Sequence, residues 1–185
     1  ELVSAAVDRI VLLHSIILSF GGMPLLYNGD AFGVLNDYSY LDDAHKHTDN
    51  RWIHRPKINW ERAENRKKQG TVEYAIFNAI KKLIAIRKET SAFADFNNRE
   101  LVDARNDHLL CFIRFNHQRP SERILVVANF DAHPQYLDLE AISGSGINLY
   151  SQFIDLYSGR SPAQYERRIV LPPGPMMAPI FSGST

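Results

Sequence analysis

Gly21–Pro56, GGMPLLYNGDAFGVLNDYSYLDDAHKHTDNRWIHRP, is the stretch on which the reading of this chain turns. Met23–Tyr27 is a short apolar run of the length of a buried parallel strand, with Pro24 tolerable only near its first residue or at an edge. The run is too short to span a bilayer. From Asn28 to Trp60 no apolar period of 2 or 3.6 is sustained, and Gly, Asn, Asp, Tyr, His, Arg and Trp dominate. A loop of that length inside a domain is functional or disordered. Its Trp, Tyr and fixed charges argue against disorder, because disordered segments are poor in aromatics.

Working outward, Leu2–Phe20 places Val3, Val7, Ile10, Val11, His14, Ile17 and Leu18 at amphipathic-helix spacing, and Gly21-Gly22 supplies the stop. Helix, glycine break and short strand make one α-β step of a parallel sheet or barrel. His14 falls on the apolar face with no carboxylate or Ser partner in sequence, which favours a packed core histidine over a catalytic one. Downstream, Glu61–Lys68 reads as a charged connector. Val72, Ile76, Ala79, Leu83 and Ile86 then predict a second helix over Thr71–Lys88, with cations toward its C-terminal end.

After Thr90 the pattern changes to short apolar or alternating runs: His108–Phe115, Glu122–Phe130, Gln135–Leu139, Gln152–Tyr157, Arg167–Leu171 and Met176–Phe181. Turn-rich NHQRPSE, DAHP, SGSG, SGRSP and PPGP separate them, which predicts an antiparallel β-sandwich. Leu109, Cys111, Ile113 and Phe115 would share one face.

The chain has 185 residues, 45% of them apolar, enough for a sizeable core; Lys plus Arg and Asp plus Glu number 21 each. A balanced charge gives no global field for nucleic acid or an anionic membrane, and neither is an expected partner. The single cysteine, Cys111, allows no internal disulfide and reads as a buried thiol, consistent with a reducing, cytoplasmic compartment. Glu1-Leu2-Val3 has the look of a cut end, so an upstream segment is expected. His45 and His47 in HKHTD lack a second pair at metal-ligand spacing, and no metal or cofactor is expected.

GGMPLLYNGDAFGVLND together with TDNRWIHRPKINW, a following helix and the β-rich remainder closely resembles the C-terminal portion of amylosucrases, the sucrose-using members of the α-amylase clan. The resemblance covers nearly the whole chain, and TDNRWIHRPKINW is its most selective part. It implies that residues 1–92 are the end of a (β/α)8 barrel: helix seven, strand eight at Met23–Tyr27, the eighth βα loop at Asn28–Gly70, and helix eight. Residues 93–185 would be the C-terminal β-sandwich domain. Many clan members carry a Glu after the GD pair, where this sequence has Ala31, and so lacks a carboxylate that in relatives helps hold the loop.

By this resemblance the eighth loop faces a sugar pocket, with Arg51, Asp30, Asp37 and Trp52 as substrate-binding residues. Carboxylates and Arg suit hydroxyls, and aromatic faces suit a pyranose. Arg51 is expected to pair with an Asp from early in the barrel; its competing roles are pairing with Asp49 or stacking on Trp52. Arg55, held extended before Pro56, would anchor the loop. The clan's catalytic carboxylates come from strands four, five and seven, upstream of Glu1, so none is expected in this chain.

The expected function is therefore the C-terminal part of a retaining enzyme that transfers or hydrolyses the glucosyl group of sucrose or an α-glucan. Trehalose synthases and oligo-α-glucosidases of the same clan are the alternative within that class, although His54-Arg55-Pro56 stands where they carry Arg-Thr-Pro. A non-catalytic accessory or carbohydrate-binding module is the alternative outside it. Tyr136, Tyr150, Tyr157 and Tyr165 are too dispersed to form an aromatic platform in the β-region.

Overall fold

The computed structural model describes residues 2–145 and 153–181. Chain packing separates two units, Glu1–Leu25 with Ile80–Thr185, and Leu26–Ala79.

In the first unit, α1 (Leu2–Ser19) buries Val11, Leu12, His14, Ser15, Leu18 and Ser19 as one stripe. Buried hydroxyls need acceptors, and Ser15 and Ser19 donate to the carbonyls of Leu12 and Ser15, each at 2.6 Å. His14 is a satisfied core histidine, its Nδ1 lying 2.8 Å from the Ile10 carbonyl. By length and composition α1 could also cross a membrane. The helix is followed by Gly21 and Gly22, whose φ angles of 125° and 67° favour glycine, the first of them strongly.

Helix C-termini leave carbonyls unpaired. Here two guanidinium groups meet them: Arg87 donates to the Leu18 and Gly22 oxygens, and Arg114 to the Ser19 oxygen. Arg114 is fully buried and also donates to Asp95 O and to Asn98 Oδ1. Burial, with Arg87 and Arg99 nearby, pushes it down to about 10.

The second unit holds α2 (Trp60–Ala63), and the division falls within α3 (Val72–Glu89), which buries Ile76, Ile80, Leu83 and Ile86. The β-rich remainder forms two antiparallel sheets. β1 (Arg99–Val102), β2 (Leu109–Asn116), β3 (Arg119–Asn129) and β7 (Gly174–Phe181) pair in the order β1-β2-β3-β7. β4 (Gln135–Asp138), β5 (Gln164–Tyr165) and β6 (Arg168–Leu171) pair as β4-β6-β5. One core joins them: Cys111, Ile113, Leu125, Val127, Met176 and Ala178 from the first sheet, Leu137, Ile169 and Leu171 from the second. Ile142 and Phe153 complete it.

β2 is buried on both faces. Cys111 and Ile113 enter that core with Leu109 packed against it, as the alternation predicts. Phe112 and Arg114 point the other way, Phe112 edge-on to Phe20 at 5.3 Å and Arg114 over the Phe93 ring at 5.7 Å. Burial lifts the Cys111 thiol to about 12, so it stays protonated and inert.

Met23–Tyr27 forms no ladder among the described residues: a strand needs a partner edge, and Met23 and Leu25 are 75% and 81% exposed. One expectation is corrected. Phe153–Tyr157 is a turn, since the buried Asp155 carboxylate accepts the N–H groups of Tyr157, Ser158 and Met177; Gln152 and Tyr150 lie outside the described residues. Ile76 and Leu83 are buried, whereas Leu2, Val3, Leu13 and Ile17 are large apolar residues of α1 that are exposed.

Candidate functional site

The loop after Tyr27, within the second unit, is built from consecutive tight turns whose carboxylates cap their own backbone. Asp30, Asp37, Asp43 and Asp49 occupy the turn positions where a short side-chain oxygen reaches an N–H two or three residues away. Asp30 heads the 3₁₀ turn Asp30–Phe32 between Gly29 and Gly33, and its Oδ2 accepts the Tyr27 N–H at 3.1 Å. Gly33 closes that turn at φ 60°, and a Cβ there would lie 2.7 Å from Ile76 Cδ1. Phe32 stacks on Phe77 at 6.1 Å and meets Trp60 edge-on at 6.4 Å, with Arg66 over both phenyl rings.

Asp37 accepts the Ser39 N–H at 2.9 Å and gives its own N–H to the Ile53 carbonyl. The Ser39 bonds hold its carboxyl below the usual range. Beside it, Asn36 Oδ1 lies 3.1 Å from His54 Nδ1, so residues 36–37 are strapped to 53–54. Asp43 takes the His45 N–H and pairs with Lys46 at 2.8 Å, which commits the HKHTD string to local turns. Lys46 bonding lowers that carboxyl.

Asp49 caps the 3₁₀ turn Asn50–His54. Its Oδ1 accepts the Arg51 N–H at 3.0 Å, and its two oxygens take Arg51 Nε and Nη2, each at 2.8 Å. The Arg51 fork holds the Asp49 carboxyl down to about 2 and is itself raised. Trp52 is half-buried, with Lys46 Nζ at 5.1 Å and the Arg55 guanidinium at 5.9 Å from its ring centre.

These turns bring Tyr27, Arg51, His54 and Arg55 around an open cleft of about 270 Å³. Of the four expected sugar-binding residues, Arg51 lines it. Trp52 stands behind it as the surface on which Arg55 rests, Asp30 fixes the Tyr27 backbone, and Asp37 fixes that of Ile53. Tyr27, His54 and Arg55 were not among the expected substrate contacts. In R-W-I-H-R the 3₁₀ turn from Asn50 to His54 eclipses Arg51 and His54 at i, i+3, and Arg55 follows as the residue that closes the turn. The lining is cationic and no carboxylate belongs to it.

No family model matches the chain. Glucosylglycerate phosphorylase of Escherichia coli (strain K12) is 30% identical over 120 residues, which are 58% of this chain and 19% of that protein. Among solved structures, AmyP in complex with maltose matches 97% of the chain and 36% of its own length, with TM-score 0.70 and 15% identity. Pullulanase complexed with maltotriose, from Anoxybacillus sp. LM18-11, matches 95% of the chain and 23% of its own length, with TM-score 0.62 and 16% identity. A MutB mutant in complex with the substrate sucrose matches 94% and 38%, with TM-score 0.60 and 18% identity. At such identities the likeness is one of fold, and the chain spans about a fifth of the phosphorylase and about a third of AmyP. Over nearly its whole length this chain is thus similar in fold to AmyP, to the Anoxybacillus pullulanase and to MutB.

Proposed function

We propose that the chain is the C-terminal part of a retaining enzyme that transfers or hydrolyses the glucosyl group of sucrose or a related α-glucan. In this reading residues 1–92 close a (β/α)8 barrel, with α1 as its seventh helix and α3 as its eighth. Met23–Tyr27 is the eighth strand, completed by a neighbouring strand from outside this chain. Residues 93–185 are the stabilising β-domain.

The observation that carries the reading is the position of the cleft. Tyr27 and three loop side chains beyond it line a cavity just past the extended segment, where barrel enzymes hold their substrates at the C-terminal ends of strands. Arg51 keeps Nε and Nη2 on Asp49, which leaves Nη1 as its donor for a sugar hydroxyl, while Trp52, Asp30 and Asp37 set the loop around it. Structures of similar fold are described with maltose, maltotriose and sucrose, which supports a glucoside substrate. Retaining chemistry needs two carboxylates about 5 Å apart astride the anomeric carbon, and these come from the rest of the protein.

The test is turnover by the full protein of sucrose, maltose and soluble α-glucan, with water, glucan and phosphate each offered as acceptor. Transfer or release of glucose with the α-configuration retained in proton NMR is expected. Failure to turn over any of these α-glucosides removes the reading.

A further inference from the structure

Arg55 and Arg51 line the same cleft but differ in how their charge is met. Both Asp49 oxygens are taken by Arg51, through Nε and Nη2. The Arg55 guanidinium makes no hydrogen bond or ion pair among the described residues, and Asp49 feels it only as a more distant charge. Its chain is nonetheless held: the Arg55 N–H donates to the Trp52 carbonyl at 3.0 Å, Pro56 restricts the backbone that follows, and the guanidinium rests over the Trp52 ring. A stacked guanidinium keeps its N–H edge available in plane, so stacking orients the fork without consuming its donors. His54 and the Tyr27 side chain complete the cleft wall.

We propose that this cleft receives an oxyanion, a phosphoryl or carboxylate group carried by the acceptor or leaving group of the glucosyl reaction, with Arg55 as the residue that binds it. The inference rests on the glucoside reading for the identity of the reaction, but not for the binding itself. Two or more oxygens matched to a planar fork distinguish such a group from a neutral sugar hydroxyl. The site is open, so screening keeps affinity for a free anion in the millimolar range. The Arg51 charge is met by Asp49, so Arg55 is the group that answers the anion, and the cavity is large enough for a phosphate or a small hydroxy acid.

Arginine modification by phenylglyoxal, mapped by peptide mass spectrometry on the full protein, tests this residue by residue. Inorganic phosphate and lactate are the two probes, each at about 20 mM, a level suited to millimolar binding. Protection of Arg55 by at least fivefold, with Arg119 unprotected in the same digest, is the expected result. Protection by phosphate alone assigns a phosphoryl group, by lactate alone a carboxylate, and by both the shared oxyanion chemistry. Arg55 modified equally fast with and without both anions overturns the proposal. Calorimetric titration of Arg55→Lys, which keeps the charge and loses the fork, should show at least fivefold weaker binding of the protecting anion; unchanged binding also overturns it. Glucoside turnover is scored separately. Protection without turnover removes the glucoside reading and leaves the anion site, whereas turnover without protection does the reverse.

Discussion

Asp49 holds Arg51 three times, at the backbone N–H and at two guanidinium nitrogens, within a single 3₁₀ turn. One carboxylate thus sets both the turn and the direction of the arginine that lines the cleft. Within this chain Arg51 pairs with Asp49, and it is Arg55 that rests on Trp52.

The clamp has a defined pH window. Asp49 is held at about 2, below its ordinary 3.8, so its contribution is fully present above the ordinary value and is lost as pH falls through about 2. The Arg51 Nε–H resonance should stay constant from neutral pH down to the ordinary carboxylate range and move only below it. Asp49→Asn keeps an oxygen for the Arg51 N–H but removes the anion, so the same resonance should show a freed guanidinium at neutral pH with the turn intact. A resonance that titrates at the ordinary carboxylate value would contradict the clamp.

Arg51→Lys tests the sugar contact. The substitution keeps charge and loses the fork, and in a pocket closed by the rest of the protein it should lower turnover on sucrose by roughly 30-fold. Full activity with an unchanged melting profile would place Arg51 outside the pocket.

Arg114→Ala should destabilise the fold by about 3 kcal/mol or more, because it strands buried carbonyls in a site closed to water. The carbonyls are those of Ser19 and Asp95, joined by the Asn98 side chain. Arg114→Lys should recover only part, having no fork to reach them together. Urea midpoints measured on the full protein check both, and an Arg114→Ala midpoint equal to wild type would sink the assignment.

Gly21→Ala should cost about 3 kcal/mol, through a backbone conformation closed to L side chains and a backbone clash. Gly21 has φ 125°, and an added Cβ would lie 2.5 Å from the Phe96 carbonyl oxygen. Gly22→Ala meets no atom within 4 Å and carries only the strain of φ 67°. Calorimetry should therefore rank Gly21→Ala as the more damaging of the two.

The 185-residue chain by itself should not turn over sucrose, since the catalytic pair is assigned to the rest of the protein. Glucose release above a buffer blank by the purified chain would be the contrary result.

Local pattern was enough to place α1 and α3 within a residue or two, because an apolar stripe at helical spacing closed by Gly21-Gly22 has few other outcomes. It was enough, too, for the antiparallel strands, where alternation and turn residues act over neighbouring positions, and for Cys111 and His14 as buried, inert groups. The long loop was legible as a loop. Only tertiary structure decided what each loop side chain faces. Asp30 and Asp37 are spent on backbone N–H groups, and Arg55 reaches the cleft as the cap residue that closes the 3₁₀ turn, a geometry that no periodicity encodes. Arg114 reads in sequence as the outward residue of an alternating strand; it is buried because α1 ends over that face with carbonyls to satisfy. Met23–Tyr27 reads as a strand by its apolar run yet forms no ladder among the described residues, since ladder hydrogen bonds belong to pairs of segments and not to one.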